Sequence, residues 1–177
     1  MSRLKLRVEL VPKDLWGRNL RSTEAFGKAR WDKLRRQIVD AAGNQCAICK
    51  STKRLHGHEV WKYEEQKRRA TAVILAVEIV CIDCHDIHHW ARTVKLVEAG
   101  IVGHHRFLAL RKHFRKVNRC RQVDFDVHFQ RSLRVWQKRS KRKWNVDWGC
   151  FEPHVVVAKA GREKWALSNA RRSNLAS

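Results

Sequence analysis

Acidic side chains are scarce in this chain: 17 Asp and Glu stand against 39 Lys and Arg, a formal net charge of +22 over 177 residues. That imbalance excludes a neutral surface and points to a polyanionic partner, with nucleic acid the first choice and an anionic membrane the rival. Long apolar runs are lacking too, since no segment approaches the uninterrupted length of a transmembrane helix. The opening Met1-Ser2-Arg3-Leu4-Lys5 alternates charge with leucine and has no apolar h-region, so no signal peptide is read there. Internal repeats and low-complexity tracts are missing as well. The length fits one ordinary domain, or a small core with extensions.

What the chain does have is six cysteines, four of them in two CxxC pairs, Cys46-Ala47-Ile48-Cys49 and Cys81-Ile82-Asp83-Cys84. Four thiolates so spaced can close a tetrahedral zinc site, because each short spacer lets both sulfurs reach one ion. Such a shell has no substrate position, so the zinc it holds is structural. A redox-active CxxC is the alternative, and a matched pair of motifs outside a thioredoxin-like context argues against it. With no signal peptide, the pairs favour reduced, metal-bound thiols in a cytoplasmic protein over disulfides. Cys120 and Cys150 are left over and read as small buried hydrophobes.

Histidines follow the second pair at once: His85, His88 and His89. His85 and His89 are four apart, so on a helix they share a face and can grip one ion. Two solvated histidines near a helix start are the plainer alternative. His88 lies off that face and reads as phosphate-facing or merely exposed. His56 and His58 are two apart, so on a strand both point the same way.

Residues 3–10 have the period of a half-buried strand, ended by Pro12. A helix is expected from about Thr23, on the stripe Trp31, Leu34, Ile38 and Ala42, with Gly43 and Asn44 as its C-cap. Strands are expected at 55–61 and, from an apolar run of ambiguous type, at 72–81. Helices are expected over 85–98, 103–117 and 123–138, then short strands at 144–148 and at Val155-Val156-Val157. The tail from 161 to 177 is polar and basic, and disorder is an open reading for it.

Cys46-x2-Cys49, then Leu55-His56-Gly57-His58-Glu59-Val60-Trp61, then Cys81-x2-Cys84-His85-x3-His89 resembles the HNH endonuclease family. The flanks Leu15-Trp16-Gly17-Arg18-Asn19-Leu20-Arg21, His113-Phe114-Arg115-Lys116-Val117-Asn118 and Trp144-x-Val146-Asp147-Trp148-Gly149 look like those of one bacterial subgroup with a four-cysteine zinc site. The resemblance implies an α+β protein with a small ββα-metal core and structural zinc knuckles, wrapped by further helices and terminal strands. On that reading, 1–29 form an N-terminal extension, 30–95 the zinc-stapled nuclease core, and 96–160 a helical and C-terminal strand extension. It also implies a metal-dependent DNA endonuclease that nicks one strand per site, with Mg²⁺, Mn²⁺ or Zn²⁺ as the catalytic ion and RNA a less favoured substrate than DNA.

Carried over residue by residue, the resemblance puts His58, His85 and His89 on the catalytic metal and Cys46, Cys49, Cys81 and Cys84 on the zinc. The family's first strand presents a metal-binding His or Asp followed directly by a base histidine. Here Glu59 stands where that histidine usually is, so either Glu59 is the base, or His58 is the base and His56 completes the ligand set. The Asn that usually braces the base has no counterpart within 70–80. Arg92, His88, Arg68 and Arg69 are candidate DNA contacts, with further basic clusters at Arg111-Lys112, Arg115-Lys116 and 138–143. Trp31 and Trp136 read as core, while Trp16, Trp61 and Trp90 are candidates for stacking on sugar or bases. The rival reading is a non-catalytic zinc-ribbon nucleic-acid-binding protein, which leaves His58, Glu59, His85 and His89 without a task. A zinc deaminase is further off, because His58-Glu59 lacks the spacer and Cys81 the preceding Pro of that signature.

Overall fold

β-Branched residues decide the ambiguous apolar run. Val73, Ile74, Val77, Ile79 and Val80 all lie within a single strand, Ala70–Cys81, where branched side chains pack well on a pleated surface. A computed structural model describes residues 4–152 of the protein. Over that span the protein is mixed α+β, and in chain order the elements are α1 (Lys28–Ala41), β1 (Leu55–Glu65), β2 (Ala70–Cys81), α2 (Ile82–His88), α3 (Trp90–Glu98), α4 (His105–Asn118), α5 (Gln122–Arg139) and β3 (Asn145–Asp147). The strand expected at 155–157 and the tail from 161 lie outside the described residues. Among the described residues, no helix is long and apolar enough to cross a membrane.

The sheet has the order β1-β2-β3. A turn closed by the Gln66 N–H on the Arg69 carbonyl (2.9 Å) joins β1 to β2, too short for the crossover that a parallel pair needs, so these two run antiparallel. β3 pairs parallel to β2, with Thr71, Ala72 and Val73 opposite Asn145, Val146 and Asp147.

Two compact units share the chain. One comprises residues through Trp16, Ile38–His58 and Val77–Lys143; the other comprises Gly17–Gln37, Glu59–Ala76 and the chain from Trp144. The second buries Leu20, Phe26, Trp31, Ile74, Trp144 and Trp148. There Tyr63 meets Trp144 edge-on at 5.2 Å, and the Arg18 guanidinium donates to the Trp144 carbonyl and to Glu24, both at 3.1 Å. Gly149 has φ +56°, and an added Cβ would run into the Ile74 carbonyl, so only glycine fits that approach.

The first unit is built around Leu6, Val8, Cys46, Val80, Cys84, Ile87, Trp90, Leu110, Phe114 and Phe125. Trp90 packs among Phe107, Phe125 and Phe129, with ring centroids 5.3–5.7 Å apart. It is a core residue, which removes it from the candidates for stacking on nucleic acid and leaves the packing alternative. Cys150 is exposed and Cys120 half-buried, so neither is the fully buried hydrophobe expected.

Two further expectations change. Residues 7–12 take no regular secondary structure and join no ladder, although Leu6 and Val8 are buried. Side chains take the place of a partner strand. Asn118 Oδ1 accepts the Lys5 and Leu6 N–H groups while its Nδ2 donates to the Leu6 carbonyl; His128 Nε2 accepts from Val8 N–H and the Ser132 hydroxyl donates to the Val8 carbonyl. The helix expected over 85–98 starts earlier, at Ile82, and breaks at His89 (φ −95°, ψ 46°). At that break the Thr93 hydroxyl donates to the Asp86 carbonyl at 3.1 Å, taking a place that a continuous helix gives to a backbone N–H.

Arg106 of α4 grips α2 from outside, donating to Asp83 at 2.6 Å and to Asp86 Oδ2 at 2.7 and 3.2 Å. Asp86 is buried, and Arg106 is its hydrogen-bonded cationic partner. Arg106→Ala is expected to destabilise the protein by about 3–5 kcal/mol, the usual cost of stranding one partner of a buried pair. A urea titration checks this; an unchanged midpoint would show that α2 is held by other contacts.

Candidate metal centres

The two knuckles converge because β2 ends in the first cysteine of the second pair. The Ala47 N–H donates to the Ile79 carbonyl at 2.8 Å, which lays the first knuckle against the end of β2. Within that knuckle the Lys50 N–H donates to the Cys46 carbonyl, and the Cys49 N–H to Cys46 Sγ at 3.4 Å. The result is four sulfurs, of Cys46, Cys49, Cys81 and Cys84, all within 4.8 Å of one another. A tetrahedron of zinc–thiolate bonds sets its sulfurs about 3.8 Å apart, so this spread fits one zinc ion. Crowding separates their acidities. Thiol hydrogen bonds from Cys81 and Cys84 hold Cys46 far below the usual thiol range, and bonding to Cys46 pushes Cys81 up to about 12 and Cys84 further. A cation does for all four what protons do here for one.

His113 of α4 adds a neighbour to this cluster, its Nε2 lying 3.2 Å from Cys84 Sγ. An N–H at that nitrogen would stabilise a thiolate and orient it. The spacing of cysteines gave no hint of this role, although His113 opens one of the flank motifs that resemble the HNH subgroup.

α2 starts directly after Cys81 and so carries its histidines away from the sulfur cluster in a fixed direction. His58 on β1, His85 on α2 and His89 at the helix break bring ligand nitrogens within 4.8 Å of one another. The i,i+4 relation survives the break, for the His89 N–H still donates to the His85 carbonyl at 2.9 Å, and the two rings are 4.6 Å apart. His58 Nδ1 is 3.2 Å from His89 Nε2. His85 Nδ1 is buried with no hydrogen-bond partner, an orphan that a metal bond would satisfy. His56 stacks on the His85 ring at 5.0 Å.

Burial first, and then the company of other histidines, pushes His85 down to about 2 and His89 to about 3. His88 falls to about 4 for the same reasons. All three are therefore neutral at neutral pH, the form in which an imidazole nitrogen binds a metal.

The other anticipated residues are placed as follows. His88, read as phosphate-facing or exposed, is instead buried at 5% exposure, stacked on His58 with centroids 4.2 Å apart. Among the described residues Glu59 joins no ligand group; its Oε1 accepts the Leu20 N–H at 2.7 Å, as suits a strand neighbour of His58 facing the other way. Arg92 is exposed, with Nη1 3.5 Å from Asp86 Oδ1. Arg68 and Arg69 are exposed in the β1–β2 turn.

Glu9 was missed. Its N–H donates to the His88 carbonyl at 3.0 Å, and its Oε2 lies 3.6 Å from His58 Nε2 and 3.8 Å from His88 Nδ1. Burial acts to raise its carboxyl, but the contact with His58 and the charges of His88, His58 and Arg7 outweigh burial and hold it near 2. No motif spacing links position 9 to the histidines. The one available signal was an acid among basic and apolar residues.

No protein-family model, no curated protein and no solved structure matches the chain. The reading of the site therefore rests on its side chains. His113→Ala is expected to leave the four sulfurs in place but weaken zinc retention about 10–100-fold, as loss of an outer partner usually does. Competition with a chromophoric zinc chelator measures this; parent-like retention would mean that His113 only packs.

Proposed function

We propose that the protein is a metal-dependent DNA endonuclease of the HNH kind. The observation that carries this reading is the convergence of His58, His85 and His89 from a strand and the adjoining helix, next to a four-cysteine cluster. In this reading the three imidazoles hold one divalent ion. When bound, that ion polarises a phosphodiester and stabilises the leaving 3′ oxygen.

The chain's own groups do the rest. Cys46, Cys49, Cys81 and Cys84 hold the structural zinc that fixes the start of α2. His56 lies on the same strand face as His58 and against His85, which makes it the base that takes a proton from the attacking water. Glu59 is engaged with the Leu20 N–H and has a structural part instead. Arg92, exposed one turn beyond His89, binds the scissile phosphate, and the basic excess of +22 draws in the duplex without reading its sequence.

The test is nicking of supercoiled plasmid in Mg²⁺ or Mn²⁺. His85→Ala should abolish nicking while the four-cysteine zinc is retained. His56→Ala should lower the rate by about 10²–10⁴-fold, the usual contribution of a general base, with metal content unchanged. Glu59→Gln, whose amide oxygen can still accept the Leu20 N–H, should cut at close to the parent rate; its failure to cut with metal in place would return the base to Glu59. Salt-sensitive DNA binding with no cleavage under either ion would favour the non-catalytic zinc-ribbon reading.

A further inference from the structure

Both ring nitrogens of His88 are buried and without a hydrogen-bond partner, on a side chain only 5% exposed. Leaving a buried polar group unmet is costly, and native proteins rarely do so twice on one ring. The nearest polar neighbours do not relieve it. Glu9 Oε2 is 3.8 Å from His88 Nδ1 and 3.6 Å from His58 Nε2, both too long for a hydrogen bond. Ligand atoms around one small divalent ion, however, stand roughly 3.3–3.6 Å apart given bonds near 2.0–2.2 Å. The three groups have ligand atoms that all lie within 4.8 Å of one another.

We propose that Glu9, His58 and His88 form a second divalent-metal position, back to back with that of His58, His85 and His89 and sharing the His58 ring. Two imidazoles and a carboxylate are a donor set for Zn²⁺, Fe²⁺ or Mn²⁺ rather than for a thiolate-seeking ion. The opposed directions of the His58 nitrogens support the arrangement: Nδ1 faces His89 at 3.2 Å and Nε2 faces Glu9. With both positions filled, His58 binds through both nitrogens as an imidazolate, its remaining ring proton passing to bulk water. Glu9 then supplies the one carboxylate among four histidines. Its backbone is held for this by the 3.0 Å bond of its N–H to the His88 carbonyl.

The site extends the nuclease reading by sharing His58, but its test reads metal content and not cleavage. The full chain is stripped of metal, refilled with Zn²⁺ at buffered free concentration, desalted, and its zinc per chain measured. The parent should hold three ions, and His85→Ala two. His88→Ala and Glu9→Gln should each hold two, with circular dichroism confirming that they fold; Glu9→Gln keeps the size of the side chain and so guards against a packing artefact. A parent holding two ions, with both His88→Ala and Glu9→Gln also holding two, would overturn the second position. Three ions in a parent that never nicks DNA would sink the nuclease reading and leave this site standing.

Discussion

Everything in the first unit hangs from the place where four sulfurs meet. Cys81 is at once the last residue of β2, a member of the cluster and the cap of α2, so its position sets the direction in which His85, His88 and His89 are presented. Cys46 of the first knuckle and Cys84 of the second are both fully buried in the hydrophobic cluster with Ile87, Leu110 and Phe114. An ion there would act as a core residue, joining two chain segments 32 residues apart (Cys49 to Cys81) without a disulfide. Arg106 and Thr93 then fix the far side of α2, through Asp83, Asp86 and the Asp86 carbonyl. A helix of seven residues has little stability of its own, so these outside contacts decide whether its histidines stand still.

The N-terminal segment solves a different problem. A segment outside any ladder must find partners for its backbone groups, and among the described residues no strand pairs with 5–11. Asn118, His128, Ser132 and Trp136 supply them, Trp136 by donating from Nε1 to the Val11 carbonyl at 3.0 Å. Side-chain partners allow what a ladder would not. The segment keeps its period of two, burying Leu6 and Val8, while Glu9 is held next to His58 and His88. The carboxylate thus reaches the histidines from a part of the chain that carries none of the motif.

Local chemistry was legible in the sequence. The two CxxC pairs, the i,i+4 histidines and the shared face of His56 and His58 depend on spacing alone, and spacing is written in the chain. The stripe of α1 and its end at Gly43 and Asn44, both at positive φ, were legible for the same reason. What depended on meeting distant residues was not. Nothing near Glu9 announces His58, nothing near His113 announces Cys84, and nothing near His88 announces that its ring stacks, buried, on that of His58. The alternation of residues 3–10 marked the buried face, with Leu6 and Val8 inside, but no strand forms there, because period reports which face is buried and not what satisfies the backbone. The break at His89 escaped notice because neither Pro nor Gly marks it; Thr93, four residues on, makes it tolerable.

Charge gives the histidine-rich choice of ligands its sense. On the nuclease reading proposed above, a chain of +22 would draw in its polyanionic substrate, so a metal site need not add attraction at long range. At short range the need is the opposite of that in a carboxylate site. On that reading, carboxylate ligands would neutralise a divalent ion and repel the phosphate it would polarise, whereas neutral imidazoles would leave its charge nearly whole. Burial keeps His85 and His89 in that neutral form, and the same burial would make an uncompensated ion costly to hold. Glu9 resolves the conflict by its distance. It sits beyond the His58 ring, near enough to offset the charge of the site through that imidazole, and on the side away from the His85–His89 pair whose ion would meet the phosphate.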